Sequence, residues 1–404
     1  MIKTTHIGTG FSTNDDPFEA ARIASLDAQK GIHQQKPNIV LVFTTIHFQG
    51  KKLLEGIYYV FGKDASVLGC TGYGIINENG VAKYGVAVMA IHSSKIKFCT
   101  SIVAEVNKGN PRGSGEQFAL SALRMLGTSA KEMSIIFSDG LIEKGSEMLL
   151  GIKETLGRSF PIFGASAADN MHFKKTYQYY NREVLNNGLV GTILSGDGVF
   201  GYGLRHGWHP LGRPHTVTQS SGNVIKEIDS EPAVNIYMNY FKKSLEEIKS
   251  ALTRISILYP LGLYLAHEEE YLLRNVIRVN PEGNLVCQGD VPQESEIRIM
   301  MGTQESALQA ARQAAIESMY AFKNTPLLGA IIFESVSRIN LLGHRVNEEI
   351  NIIKNVLGQD VPFIGVCTFG EQAPLRSLEY HGESHCHNET VAILTLGEKF
   401  VLLK

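Results

Sequence analysis

Cysteine is scarce in these 404 residues: there are five, at positions 70, 99, 287, 367 and 386, widely spaced and without a C-x-x-C pair. That excludes a disulfide framework and a structural zinc site as the basis of the fold. Charge of one sign is also missing. The 38 Lys and Arg against 40 Asp and Glu leave a net charge of −2, so no strong field recommends nucleic acid or an anionic membrane as a partner. Long apolar runs are absent too, stretches such as 39–43 and 327–333 falling far short of the ~20 residues a membrane span needs. The first residues lead into a polar Asn14-Asp-Asp-Pro17 cluster with no apolar targeting core, and a cytoplasmic location is expected. What is present is ordinary: 44% apolar and 19% charged residues, with length for two or three domains at ~100–200 residues each.

The chain repeats itself three times. An apolar strand at 39–43 is followed by a helical stripe (Leu53, Leu54, Ile57, Phe61), then Gly62 and a glycine-marked strand, Val67-Leu-Gly-Cys-Thr71. The same order recurs at 134–137, with Leu149, Ile152, Leu156, Gly157 and Pro161-Ile-Phe-Gly-Ala-Ser166. It recurs again at 330–333, with Ile350, Ile353, Leu357, Gly358 and Pro362-Phe-Ile-Gly-Val-Cys-Thr368. Gly62, Gly157 and Gly358 stand where a helix end needs positive φ. A further strand closes each copy, at 85–91, 188–194 and 389–395. First strands apolar on both faces must be covered twice. The expected fold class is therefore α/β, with mixed sheets built from three repeated β-α-β-β modules in an α/β/β/α layering.

Other elements follow from their caps and turns. Asp16-Pro17 opens a helix, Thr303 caps another over 305–322, and Ser230-Glu-Pro232 opens a third with Val234, Tyr237, Phe241, Leu245 and Ile248 on its buried face. Between the last two, 271–279 and 285–289 flank the turn Asn280-Pro-Glu-Gly-Asn284 and read as a hairpin. A domain boundary is expected in the polar run 216–223, dividing the chain into 1–220 with two modules and 221–404 with the hairpin-rich segment and the third.

These residues resemble the FIST family (F-box and intracellular signal transduction), with its N-terminal and C-terminal domains in tandem. The resemblance is carried by Gly69-Cys-Thr-Gly-Tyr-Gly74, Gly85-Val-Ala-Val-Met89, Phe163-Gly-Ala-Ser-Ala-Ala-Asp169 and Gly203-Leu-Arg-His-Gly-Trp-His-Pro-Leu-Gly212. It continues in Gly222-Asn-Val-Ile-Lys-Glu-Ile-Asp229, Gly289-Asp-Val-Pro292, Phe369-Gly-Glu371 and His387-Asn388. The chain departs from the family pattern at Gly72, where a hydroxyl is common, at Ile75, where an acid is, and over 334–338, where only Arg338 is kept. The resemblance implies a sensory module that binds a small ligand, an amino acid being one candidate, and here signals through a separate protein.

The candidate ligand groups are Cys70, Thr71, Ser166, Asp169, Arg205, His206, Trp208, Cys367, Thr368, Glu371 and Asn388. Arg205, His206 and Trp208 form the densest basic and aromatic run, where a guanidinium fork suits a carboxylate; the bland alternative is a buried tryptophan under a surface cation. Cys70-Thr71, Ser166 and Cys367-Thr368 lie at matching strand ends, the usual ligand edge of an α/β sheet. Asp169 and Glu371 are candidates for a ligand amine, or else an Asx turn and a cap. Cys70 or Cys367 beside His206 or His387 would make a cysteine-dependent enzyme, and a ligand-free interaction scaffold is the third reading. His385 and His387 alternate on one strand face as a metal site would begin, with no further ligands visible nearby. The pairs Gly8-Thr-Gly10 and Gly201-Tyr-Gly203 are too short to argue for a nucleotide. No cofactor is expected, and 267–270 reads as a solvated acidic turn.

Overall fold

The structure, a computed structural model, describes residues 4–106, 109–266, 268, 270–323, 325–375 and 382–399. Its strands form four sheets, three of six strands with one shared order. Sheet I runs Thr5–Ser12, Val86–Ser93, Ile39–Thr45, Val67–Gly72, Gln178–Tyr180, Glu183–Leu185. Sheet II runs Ile96–Val103, Leu189–Gly196, Lys131–Ser138, Ile162–Ser166, Gly370–Pro374, Ser384–His387. Sheet III runs Gly198–Arg205, Val391–Glu398, Gly329–Ser335, Phe363–Thr368, Gly74–Asn77, Gly80–Ala82. Among the described residues only the first and second strands of each copy pair in parallel, joined by one crossover helix in the first two copies and by two, Val336–Leu342 and Val346–Leu357, in the third.

The last two strands of each sheet are a hairpin from another copy. The first copy lends 74–82 to sheet III, the second lends 178–185 to sheet I, and the third lends 370–374 and 384–387 to sheet II. Each exchange is tied at the strand end by a backbone bond: Tyr73 N–H to Cys367 O, Ala168 N–H to Thr71 O, and Phe369 N–H to Ser166 O. The repeating unit is thus larger than β-α-β-β, since an outer strand and its helix precede it and an exchanged hairpin interrupts it.

Sheets lie inside and helices outside, with three sheets rather than a sister pair meeting at one core. Leu41, Phe43, Ile135, Phe137, Ile331 and Phe333 come together there. The rings of Phe43, Phe137 and Phe333, at matching positions of the three first strands, meet edge to face with centroids 5.4, 6.1 and 6.0 Å apart. Two helices cover each outer face: Pro17–Gly31 and Lys51–Phe61, Pro111–Leu126 and Gly145–Leu156, Gln304–Ser318 and Val346–Leu357. The marking glycines have a steric cause: a Cβ on Gly69 would lie 1.8 Å from Val42 O, and one on Gly365 2.2 Å from Ile332 O. Gly62, Gly157 and Gly358 have φ of 82, 108 and 114°.

The fourth sheet is inserted between the third copy's outer strand and its helix. Trp208–Ser221 and Glu296–Gly302 form its centre. The expected hairpin is present as Val276–Val279 with Leu285–Cys287, whereas Leu272–Arg274 pairs instead with Leu261–Leu263. The polar run 216–223 is the end of a strand and its turn. The helix expected from Ser230 is broken: Glu231–Pro232 is a short strand, the first helix is Asn235–Phe241, Lys242 sits at φ 53°, and Ser244 caps a second helix, Leu245–Ser250. Among the described residues no helix is long and apolar enough to cross a membrane.

Candidate functional site

Where sheet III hands the chain to the fourth sheet, Gly207 turns with φ 91°; a Cβ there would sit 2.7 Å from Ser306 O. This turn sets Arg205 and His206 against helix Gln304–Ser318, at the edge of an open cleft of about 540 Å³. Glu270, Tyr271, Gln309 and Gln313 complete its walls. Arg205 is 15% exposed at its side chain. Its Nη1 donates to Glu270 Oε1 at 2.8 Å and its Nε to Glu317 Oε1 at 3.0 Å, with Nη2 also on Glu317. Gln313 Nε2 donates to the same Glu317 oxygen at 2.9 Å.

His206 is oriented by its own turn. The Trp208 backbone N–H donates to Nδ1 at 2.8 Å, which assigns the proton to Nε2. That nitrogen lies 2.5 Å from Glu270 Oε2, though its N–H is not well aligned with the oxygen. Burial opposes ionisation of Glu270, but His206 and Arg205 outweigh it and hold its carboxyl below the usual range. The acidic run is therefore not simply a solvated turn: Glu270 folds back onto two donors, while His267 and Glu269 lie outside the described residues. Trp208 is buried, with Nε1 donating to Ile257 O at 3.1 Å.

Behind His206 lies a second cluster, at the carboxyl ends of the sheet III strands. Arg338, fully buried, donates from Nε to Glu334 Oε1 at 2.6 Å, from Nη1 to the His206 carbonyl, and from Nη2 to Ala307 O at 2.9 Å and to Glu349. Glu371 accepts from the Thr368 and Thr390 hydroxyls at 2.6 Å each. Glu389 faces Ser337 and Asn275 without good hydrogen-bond geometry at either oxygen. Burial raises all four carboxyls, and Glu334 is raised further by the neighbouring Glu349. Four acids around one guanidinium cannot all ionise in so dry a place.

Glu371, raised to about 7 from an ordinary 4.5, gives this cluster a measurable signature. Between those values the folded chain keeps a proton that the unfolded chain has released, so stability is fully present below 4.5 and falls as pH rises through 7. Glu371→Gln is expected to lessen that fall by roughly 2–3 kcal/mol. Urea denaturation at a series of pH values checks it; an unchanged slope would mean that Glu371 is ionised in the folded state.

The remaining candidates are committed to the fold. Thr71 Oγ1 accepts the Tyr177 N–H at 3.0 Å, and Ser166 Oγ accepts the Gln372 amide at 2.8 Å. Asp169 draws the backbone N–H groups of His172, Phe173, Lys174 and Lys175 to its carboxylate, the local-turn alternative. Asn388 is buried and its Nδ2 donates to the His387 carbonyl. Cys70 and Cys367 are fully buried, which pushes both thiols up and suppresses the nucleophilic thiolate. At Gly72 a Cβ would fall 2.2 Å from Val366 Cγ2, so a hydroxyl-bearing residue would need rearrangement there; Ile75 packs in the central core. His387 Nε2 is 3.0 Å from Ala373 O, and among the described residues no three acids, histidines or cysteines are arranged to hold a metal.

Sequence reasoning missed Glu270, Glu317, Glu349 and Glu389. The signal available was an acid inside an apolar context: Glu334 ends the strand Ala330-Ile-Ile-Phe333, four residues before Arg338, and Glu349 adjoins the buried Ile350.

Residues 38–231 match the FIST N domain and 233–374 the FIST C domain, and the chain belongs to the FIST family. An uncharacterised protein of Mycobacterium tuberculosis (strain H37Rv) is 22% identical over 401 residues, covering 96% of this chain and 99% of that protein. An uncharacterised Methanocaldococcus jannaschii protein is 29% identical over 184 residues, 42% of this chain and 34% of that protein, so this match spans about a third of the archaeal relative. Among solved structures, a cyanuric acid hydrolase from A. caulinodans aligns over 96% of this chain and 99% of its own, at 8% identity and a TM-score of 0.38.

Proposed function

We propose that the chain is a sensory protein that binds a small carboxylate-bearing molecule, an amino acid being the first candidate, in the cleft beside Arg205 and His206. It acts without chemistry of its own and passes the signal to a separate protein. One observation carries this reading: two adjacent side chains meet the two oxygens of a single carboxylate, Glu270, at 2.8 and 2.5 Å, beside an open cleft. A guanidinium and an imidazole set in this way form a receptor for a carboxylate. Glu371 and Asp169 are held by other partners, so the amine of a zwitterion would face the helix side of the cleft, where Gln309 and Gln313 supply neutral acceptors. A micromolar ligand needs about −8 kcal/mol, within reach of such contacts and partial burial.

A thermal-shift screen of the amino acids tests the reading. At least one is expected to raise the melting temperature, and Arg205→Lys to weaken its binding roughly tenfold or more by losing the fork. Because that fork also serves Glu317, the lysine variant is expected to lose roughly 1–3 kcal/mol of stability as well. No response to any amino acid would favour the scaffold reading. The buried thiols of Cys70 and Cys367 support the non-enzymatic reading over the cysteine one.

A further inference from the structure

We propose that the buried carboxylate of Glu389 holds a small monovalent cation, alkali metal or ammonium, at the seam between the fourth sheet and the third copy. The observation that carries this is a shortage of donors. Glu389 is fully buried, and neither of its oxygens has an aligned hydrogen-bond partner. The side chains it faces, Ser337 and Asn275, are neutral, and the Asn275 amide donates to Ser337 Oγ at 3.3 Å. Two amide oxygens close by in space or in sequence, Asn275 Oδ1 and Asn388 Oδ1, are also buried without a donor. Buried oxygens of this kind are costly unless something positive or hydrogen-bearing meets them.

The charge balance selects a single positive charge. Glu334 and Glu349 share Arg338, and Glu371 is met by the Thr368 and Thr390 hydroxyls. Glu389 is the acid left over, with Glu371 adding a negative field that Arg338 opposes. Calcium takes roughly 6–8 oxygens and magnesium an octahedral set. Among the described residues no three acids, histidines or cysteines are arranged to hold such an ion. One carboxylate with neutral amide oxygens matches one alkali or ammonium ion instead. Asn275 joins the strands Leu272–Arg274 and Val276–Val279, while Glu389 precedes the strand Val391–Glu398. A cation on Glu389 therefore ties the inserted sheet to the third copy beside the Asn275 to Ser337 bond. The cleft next to Arg205 shares none of these residues.

The experiment follows the melting temperature of the full chain as choline chloride is replaced by potassium, sodium or ammonium chloride at constant ionic strength and pH. Choline has the same charge but is too large for a buried site. The expected result is a saturable rise of about 2–4 °C with at least one small cation. Glu389→Gln, which keeps the shape and removes the charge, is expected to abolish that rise. The salt that acts at the lowest concentration separates an alkali ion from ammonium. Should Glu389→Gln fold poorly, Asn275→Ala is expected to raise the half-saturating concentration roughly tenfold by removing a neutral ligand. A rise that persists in full in Glu389→Gln, or half-saturation unchanged in Asn275→Ala, would overturn the proposal. So would the absence of any response beyond that to choline, which would leave Glu389 a protonated, neutral acid.

Discussion

Arg338→Met is expected to cost about 3–5 kcal/mol of unfolding free energy, because it strands two buried carboxylates that now share one guanidinium. The guanidinium also ties the His206 carbonyl and the Ala307 carbonyl together, so its loss releases two backbone acceptors in the same place. A purely packing role would predict a far smaller loss, methionine being of similar length and apolar. The triple variant Arg338→Met with Glu334→Gln and Glu349→Gln is expected to recover much of the loss, since removing both partners removes the uncompensated charge. Chemical denaturation of the two variants separates these cases; equal instability would mean that the charges are not what Arg338 supplies.

Phe333→Ala is expected to cost a similar amount, about 3–5 kcal/mol. Its ring contacts both Phe43 and Phe137 edge to face and stacks on Phe163 at 4.9 Å, so truncation opens a cavity where all three sheets meet. The site lies on the other side of sheet III, because Glu334 follows Phe333 and successive strand residues face opposite ways. The variant is therefore expected to lose stability without losing the carboxylate response of the cleft. If Phe333→Ala unfolded at the wild-type midpoint, the three sheets would not share one core.

The repeat was legible because it is written in local physics. Glycines whose absent Cβ lets neighbouring strands approach, and glycines at positive φ after each crossover helix, recur in each copy. The hairpin exchange was not legible: nothing in 74–82 says which second strand it will join, since pairing with sheet I or sheet III satisfies the same backbone groups. The helix after Ser230 failed for a different reason. Its apolar spacing runs through Lys242, but the left-handed backbone there and the cap at Ser244 start a new helix.

The site divides in the same way. Arg205, His206 and Trp208 stand together in sequence, and their density, with the family resemblance of 203–212, singled them out. Their partners come from far along the chain: Glu270 sits in a run that reads as solvated, and Glu317 belongs to a helix whose stripe is mostly alanine. Asp169, by contrast, had its local alternative written beside it, and four backbone donors within six residues took it up.

Whether the cleft holds a carboxylate is decided by following the His206 imidazole resonances by NMR while the amino acid that most raises the melting temperature is titrated in. Saturable shifts of the Nε2 proton and ring signals are expected, tracking the stabilisation, as a ligand carboxylate docks beside the imidazole. A ligand that stabilises the chain while leaving His206 unmoved would contradict the carboxylate reading and place the binding site elsewhere.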